Sequence, residues 1–310
     1  MRPFLRSSSL LSKLAPSLSP ATYFRRPLAR TMATATTPSP VLKKPVKLAC
    51  IQLASGADKV ANLSHARDKV LEAARDGAKI IVLPECFNSP YGCDYFPAYA
   101  ETLLPSPPPA RPVPLLPRPY YYNTSLTFGP DGGLLASHRK VHLFDIDIPG
   151  KITFRESDVL SPGNKVTLVD LPDYGRIAVA ICYDIRFPEL ATVAARKGCF
   201  ALVYPGAFNT TTGPLHWRLQ GQARAMDNQI YVAMCSPARD ETASYRAWGH
   251  SLIVDPMAQV LVEADEAETT VCWELDNAKI EETRKNIPLV GQRRFDVYPD
   301  ISEGKIRFEE

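Results

Sequence analysis

At 310 residues, with 45% hydrophobic and 22% charged residues, the chain is long enough for one substantial self-supporting domain and too apolar to be disordered throughout. Its formal charge of +3 does not mark a nucleic-acid binder: Arg2, Arg6, Lys13, Arg25, Arg26 and Arg30 lie in the first 30 residues, and without these six the balance is −3, with no basic stripe left. Seven cysteines (50, 86, 93, 182, 199, 235 and 272) are odd in number and lack CxxC spacing, which argues against a disulfide framework or zinc knuckle, and no apolar run reaches the ~20 residues that span a bilayer.

From Met1 to Ala57 there is no acidic residue, while Arg recurs and Ser7, Ser8, Ser9, Ser12, Ser17 and Ser19 crowd the start. That composition is expected of a mitochondrial matrix transit peptide. Met32 opens a second start, and initiation there would leave a cytoplasmic form without the Arg-rich part. The expected organisation is a leader over 1–44, a body over 45–300 and a C-terminal tail over 301–310.

In chain order, Val46 to Leu53 (VKLACIQL) reads as a buried strand. Asp58 to Asp76 follows as a helix with Val60, Leu63, Val70, Leu71 and Ala74 on one face, stopped by Gly77. Lys79 to Leu83 (KIIVL) is a second strand ending at Pro84-Glu85. Pro105 to Pro119 contains eight prolines and admits neither a helix nor a central strand. Asn123–Phe128 and Leu134–Ser137 flank GPDGG as a hairpin. Arg176–Ile181 is a strand, followed by a helix that Pro188 opens and Gly198 closes, then strands at Ala201–Tyr204, Tyr231–Cys235, Gly249–Val254 and Thr269–Leu275. The alternation predicts an α/β domain with a mixed sheet.

Three polar groups close apolar strands: Glu85 in VLPECF, Lys140 in SHRKVHLF and Cys182 in VAICYDIRFPE. Singly, each has an ordinary reading as a cap, a solvated lysine or core filler. Together they can make a nucleophilic site. A neutral thiol, with an ordinary pKa of about 8.5, attacks poorly and needs a base and a cation, which Glu85 and Lys140 can supply. Cys182 would attack an electrophilic carbonyl carbon as Glu85 takes the thiol proton, with the oxyanion held by Lys140 and the backbone N–H of Tyr183. Departure of the leaving group would give a thioester that water hydrolyses. The scheme uses no metal and no organic cofactor.

The three segments resemble the signature regions of the nitrilase superfamily of carbon-nitrogen hydrolases, from about Lys47 to Tyr298 apart from the proline-rich stretch. The likeness is closest to the omega-amidase branch in HLFDIDIPGKITFRES, VYPGAFNTTTGPLHW, RAMDNQIYVA and SPARD…SYRAWGHS. It implies a four-layer α-β-β-α sandwich, a homodimer or larger assembly, and a supporting second glutamate at Glu156. The implied substrates are short dicarboxylate monoamides such as 2-oxoglutaramate and 2-oxosuccinamate. Such substrates need a clamp for the distal carboxylate, for which Arg186, with Phe208 and Thr211 as pocket wall, is the candidate.

Where the resemblance implies a helix and a strand, residues 102–121 have instead the look of a frameshifted or intron-derived insert between two intact blocks, so one helix and one strand are expected to be missing. Three alternatives stay open: an amidase acting on deaminated glutathione, a catalytically silent binding protein, and a Cys–His hydrolase with His216 or His250 as base.

Overall fold

The structure is a computed structural model in which residues 40–103, 120–295 and 297 are described. Most of the expected leader, nearly all of the proline-rich stretch and the whole 301–310 tail lie outside the described residues. In chain order the elements are β1 (Val46–Gln52), α1 (Lys59–Arg75), β2 (Ile80–Val82), α2 (Phe96–Tyr99), β3 (Thr124–Phe128), β4 (Leu134–Arg139), β5 (Asp145–Ile148), β6 (Ile152–Arg155), β7 (Thr167–Leu171), β8 (Gly175–Val179), α3 (Pro188–Arg196), β9 (Cys199–Pro205), α4 (Gly213–Asn228), β10 (Tyr231–Cys235), β11 (Leu252–Val254), β12 (Val260–Glu263), β13 (Thr269–Leu275), α5 (Asn277–Asn286) and α6 (Leu289–Gln292).

The strands form a three-stranded sheet in the order β13-β1-β2, a six-stranded sheet in the order β12-β11-β10-β9-β8-β7, and two hairpins, β3-β4 and β5-β6. β1 pairs parallel with β2 and antiparallel with β13, and β8, β9 and β10 run parallel. The central strands read as unbroken apolar runs because both of their faces are covered. In β1, Leu48 and Cys50 point into a core shared with Ile177, Val179, Ala201, Val203, Ala233 and Cys235 of the larger sheet, whereas Ala49 and Ile51 point the other way, to α1. The far face of the six-stranded sheet, with Ala178, Leu202, Tyr204, Val232 and Met234, is covered by Leu190, Ala191 and Ala194 of α3 and by Trp217 and Ala225 of α4.

The structure revises several sequence expectations. Residues just before 45 also pack on the body: Leu42 is buried in the inter-sheet core and pairs with Gly175, and the Lys43 N–H donates to Tyr174 O at 2.8 Å. Gly175 is needed there, since with φ +125° a Cβ would lie 2.3 Å from Val41 O.

α1 has the expected bounds, with Asp58 capping the Ala61 N–H, but it turns a different face inward. Val60, Leu63, Leu71 and Ala74 are exposed, and the helix buries Asn62, Ala66 and Ala73. Small side chains let the helix approach the sheet, and Asn62 is satisfied by both the N–H and the C=O of Gly56. The strand expected over Gly249–Val254 is paired only from Leu252, because Gly249 and His250 take positive φ. α4, α5, β5–β7 and β12 are further elements that the apolar periodicity did not single out.

Candidate active site

Each key side chain arrives from a different layer. Glu85 follows β2 of the smaller sheet, Lys140 follows the β3-β4 hairpin, Glu156 follows β6, and Cys182 follows β8 of the larger sheet at the start of a short 3-10 helix, Cys182–Arg186. All four converge and are buried.

Lys140 Nζ donates to Glu85 Oε1 and to Glu156 Oε1, both at 2.9 Å, with all three side chains fully removed from solvent. Such a cluster persists only if every charge and lone pair is satisfied. Glu85 Oε1 also accepts from Asn123 Nδ2 at 2.7 Å, and Oε2 from the Ala207 N–H at 2.8 Å. Glu156 Oε1 accepts from the Tyr91 hydroxyl at 2.8 Å, and Oε2 from the Phe144 N–H at 2.8 Å. Sequence reasoning singled out none of Asn123, Tyr91, Phe144 and Ala207; two of these donors are backbone amides and carry no side-chain signal.

Cys182 has φ +45°, a left-handed conformation that a residue with a side chain adopts only when its surroundings hold it there. Close approach of the next strand's end is part of that hold: a Cβ on Gly206 would lie 3.1 Å from Cys182 Cα and 3.2 Å from the Trp217 ring. As the first two residues of the 3-10 helix, Cys182 and Tyr183 have N–H groups with no acceptor inside that helix. These amides can hold a developing oxyanion.

The electrostatics place a protonated thiol beside a carboxyl group and an ammonium. Burial, and then the charge of Glu85, pushes the Cys182 thiol well above its ordinary range, so it is protonated at neutral pH. Burial likewise raises Glu85, with Lys140 opposing and Glu156 adding to the shift. Burial alone would lower Lys140, but Glu85 and Glu156 more than reverse this, and it remains an ammonium. Moving the thiol proton to Glu85 converts a thiol and a carboxylate into a thiolate and a carboxylic acid beside a fixed cation, with no change in net charge. The arrangement can therefore activate the sulfur on demand.

A cavity of about 250 Å³ opens beside Glu85, with Cys86, Tyr91, Tyr95, Tyr245 and Ala247 among its walls. Arg186, Phe208 and Thr211 are not among them. Arg186 lies 4.8 Å from the Phe208 ring centroid and 5.3 Å from that of Tyr183, while Thr211 sits in the turn before α4 with its N–H on Asn209 Oδ1 and makes no hydrogen bond or ring contact with either. Among the described residues Arg186 has no carboxylate partner, and its Nε is buried without an acceptor.

Neither His216 nor His250 is hydrogen-bonded to Cys182. His216 Nδ1 accepts from Arg186 Nη1 at 3.1 Å, and His250 stacks on Trp248 with Glu263 3.8 Å away. The group hydrogen-bonded to the thiol is the carboxylate of Glu85. Among the described residues no group of three His, Cys, Asp or Glu side chains is arranged to hold a metal ion, and no helix is long and apolar enough to cross a membrane.

The carbon-nitrogen hydrolase family model matches the chain in two pieces, residues 47–117 and 110–285, which meet in the proline-rich stretch. Omega-amidase NIT2 of Bos taurus is 51% identical over 267 residues, covering 81% of this chain and 96% of that protein. Omega-amidase NIT3 of Saccharomyces cerevisiae is 48% identical over 287 residues, covering 85% and 98%. The crystal structure of S. cerevisiae Nit3, a member of branch 10 of the nitrilase superfamily, superposes with a TM-score of 0.73 at 45% identity, covering 82% of this chain and 98% of that one. The signature segments, the mixed α/β architecture and these matches agree: the chain belongs to the carbon-nitrogen hydrolase family of the nitrilase superfamily.

Proposed function

We propose that the chain is an omega-amidase that hydrolyses the terminal amide of a short dicarboxylate monoamide, such as 2-oxoglutaramate or 2-oxosuccinamate, to the dicarboxylate and ammonia. The observation that carries this reading is the buried Lys140 ammonium held between Glu85 and Glu156 beside the Cys182 thiol. In the proposed reaction Cys182 Sγ bonds to the amide carbon as its proton passes to Glu85. Negative charge collects on the former carbonyl oxygen, facing Lys140 and the Tyr183 N–H. The C–N bond breaks as Glu85 protonates the leaving nitrogen, giving ammonia and a Cys182 thioester. Glu85 then takes a proton from water, whose oxygen attacks the thioester carbon, and the thiol leaves reprotonated. Glu156 keeps Lys140 charged and in place throughout.

Two features support a small anionic substrate. The cavity beside Glu85 is of a size that fits a short monoamide, although neither Cys182 nor Arg186 is among its walls. Arg186, four residues beyond the nucleophile and half-buried without a carboxylate, can pair with the distal carboxylate. We further propose the four-layer α-β-β-α sandwich, supported by the core shared between the three- and six-stranded sheets, with α1 on the outer face of one and α3 and α4 on the outer face of the other.

Ammonia release from 2-oxoglutaramate by the purified full chain tests the activity. Wild type should be active and Cys182→Ala inactive, while Arg186→Gln should raise KM by roughly 10–100-fold, the loss of one charge-assisted bond. Soluble, folded wild type that releases no ammonia from either monoamide would exclude this substrate class and leave the deaminated-glutathione amidase and the catalytically silent binding protein, which release from deaminated glutathione separates. We also propose at least a dimer, supported by the exposed stripe Leu215, Leu219 and Met226 on α4. Sedimentation should return twice the monomer mass, and Leu219→Glu should reduce it to one.

A further inference from the structure

A further buried carboxylate, besides Glu85 and Glu156, lies two residues from Cys182 in sequence, and no step of the proposed reaction uses it. Asp184, two residues beyond Cys182, is fully buried. Its Oδ1 accepts from the His142 backbone N–H at 2.9 Å and lies 2.8 Å from His142 Nδ1. Its Oδ2 accepts from the Ile181 N–H at 2.9 Å and lies 3.1 Å from His138 Nε2. Four N–H groups thus converge on one carboxylate, and despite its burial the group is held well below the usual carboxylate range. Because an ionised carboxylate only accepts, both imidazoles present N–H to it.

The positions of these partners are informative. His138 and His142 stand two residues before and two residues after Lys140. Ile181 directly precedes Cys182, and its C=O accepts from the Asp184 N–H at 2.9 Å while its own N–H donates to the Asp184 side chain. The pair therefore closes a loop over Cys182 and Tyr183, the residues carrying the strained φ and the candidate oxyanion amide. His138 is anchored in turn by Thr167 Oγ1, 3.0 Å from Nδ1, and His142 stacks on Phe187 at 3.6 Å between ring centroids. No hydrogen bond runs from Asp184 to Lys140 or Cys182 directly.

We propose that Asp184 is a positioning residue which, through His138 and His142, locks the segment carrying Lys140 to the turn carrying Cys182 and so sets the distance between ammonium and sulfur. The two segments belong to different sheets, so neither fixes the other through strand pairing. A displacement of about 1 Å at a reacting centre costs about 100-fold in rate. The inference rests on Cys182 being the nucleophile of the proposed function.

The test compares Asp184→Asn, His142→Phe and His142→Asn in the full chain. Two readouts are used: amide turnover, and the rate at which iodoacetamide alkylates Cys182, located by peptide mass spectrometry. Asn at 184 presents an NH2 group to two N–H donors. Its kcat should fall about 100-fold with KM within about twofold, and alkylation should slow in parallel. Phe at 142 keeps the stack on Phe187 and the backbone bond but loses the Nδ1 donor, and should be about tenfold slower. Asn at 142 restores a donor at the Nδ1 position and should recover to within about threefold of wild type. Variants that melt earlier yet keep wild-type kcat and alkylation rates would overturn the proposal, as would His142→Asn behaving like His142→Phe. If Asp184→Asn does not fold, the two His142 variants decide. If wild type hydrolyses no amide, the alkylation rates still judge the positioning role separately from the proposed activity.

Discussion

Lys140→Met should lower ammonia release by about 100- to 1,000-fold and also destabilise the protein by about 3–5 kcal/mol at pH 7, the cost of removing one partner from a buried ionic cluster. Methionine matches the unbranched lysine stem, so the cavity left behind is small and the effect reports the lost charge. Glu85 and Glu156 would then face each other without the ammonium that each meets at 2.9 Å. One of them must take up a proton or the site must open. The pH dependence follows. In wild type, Lys140 is raised above its ordinary range, so its contribution to stability is present through neutral pH and is lost only in strong alkali. In the variant the folded state must take up a proton or hold unpaired buried charge, which costs more at pH 7 than in acid, so its deficit should shrink as pH falls toward 4. Urea unfolding at pH 7 and pH 4.5 measures this, and equal midpoints for variant and wild type at both pH values would contradict the buried cluster. On the catalytic side, one oxyanion-stabilising group contributes about 100- to 1,000-fold.

Glu85→Gln should lower kcat by about 100- to 10,000-fold, because one carboxylate takes the thiol proton, hands it to the leaving nitrogen and then activates water. Gln keeps one carbonyl oxygen for Asn123 and Lys140 but places an NH2 group against the Ala207 N–H, so the fold is retained with a local mismatch. The wild-type rate profile should have an acid limb displaced above the ordinary carboxylate range, since burial raises Glu85. That limb should vanish in the variant. Stability should move the opposite way. A carboxylate raised on folding binds its proton more tightly in the folded state, so its contribution is greatest below the ordinary range and declines as pH rises through the raised value. Gln has no proton to lose, and the variant's stability relative to wild type should therefore rise from pH 4 to pH 8. Calorimetric melting at the two pH values reads the sign directly.

The parts of this molecule that could be read from the chain are those where one physical cause dominates. Buried strands such as VKLACIQ and RIAVAI are apolar on both faces because helices and a second sheet cover them, and a polar group at the end of such a strand stands out. Glu85 and Cys182 are visible in that way, whereas Lys140 follows β4 (LLASHR), a largely exposed hairpin strand, and stands out only through its likeness to a signature segment. Helices were harder to read where close packing outweighed hydrophobicity. α1 buries Ala66 and Ala73 and leaves Val60 and Leu71 in solvent, and α4 buries Gly213, Trp217, Gly221, Arg224, Ala225 and Asn228, an inward face too mixed in chemistry to show as an apolar stripe. The supporting shell was least legible. Asn123 looks like any polar residue before a strand, Tyr91 like any loop tyrosine and Asp184 like a helix cap. Their roles depend on partners brought from 38 to 65 residues away, which local pattern does not encode.

Glu85 meets Lys140 across 55 residues of sequence and the Ala207 N–H across 122, and its partners belong to separate sheets. Contacts of such separation form late, after loop closure has been overcome. Until they form, the cysteine in VAICYD has neither a proton acceptor nor a cation at hand and behaves as an ordinary thiol of pKa about 8.5. A nascent or partly unfolded chain therefore lacks the acceptor and the cation that attack on an amide needs, so amide hydrolysis itself certifies that the segments carrying Glu85, Lys140 and Cys182 have docked.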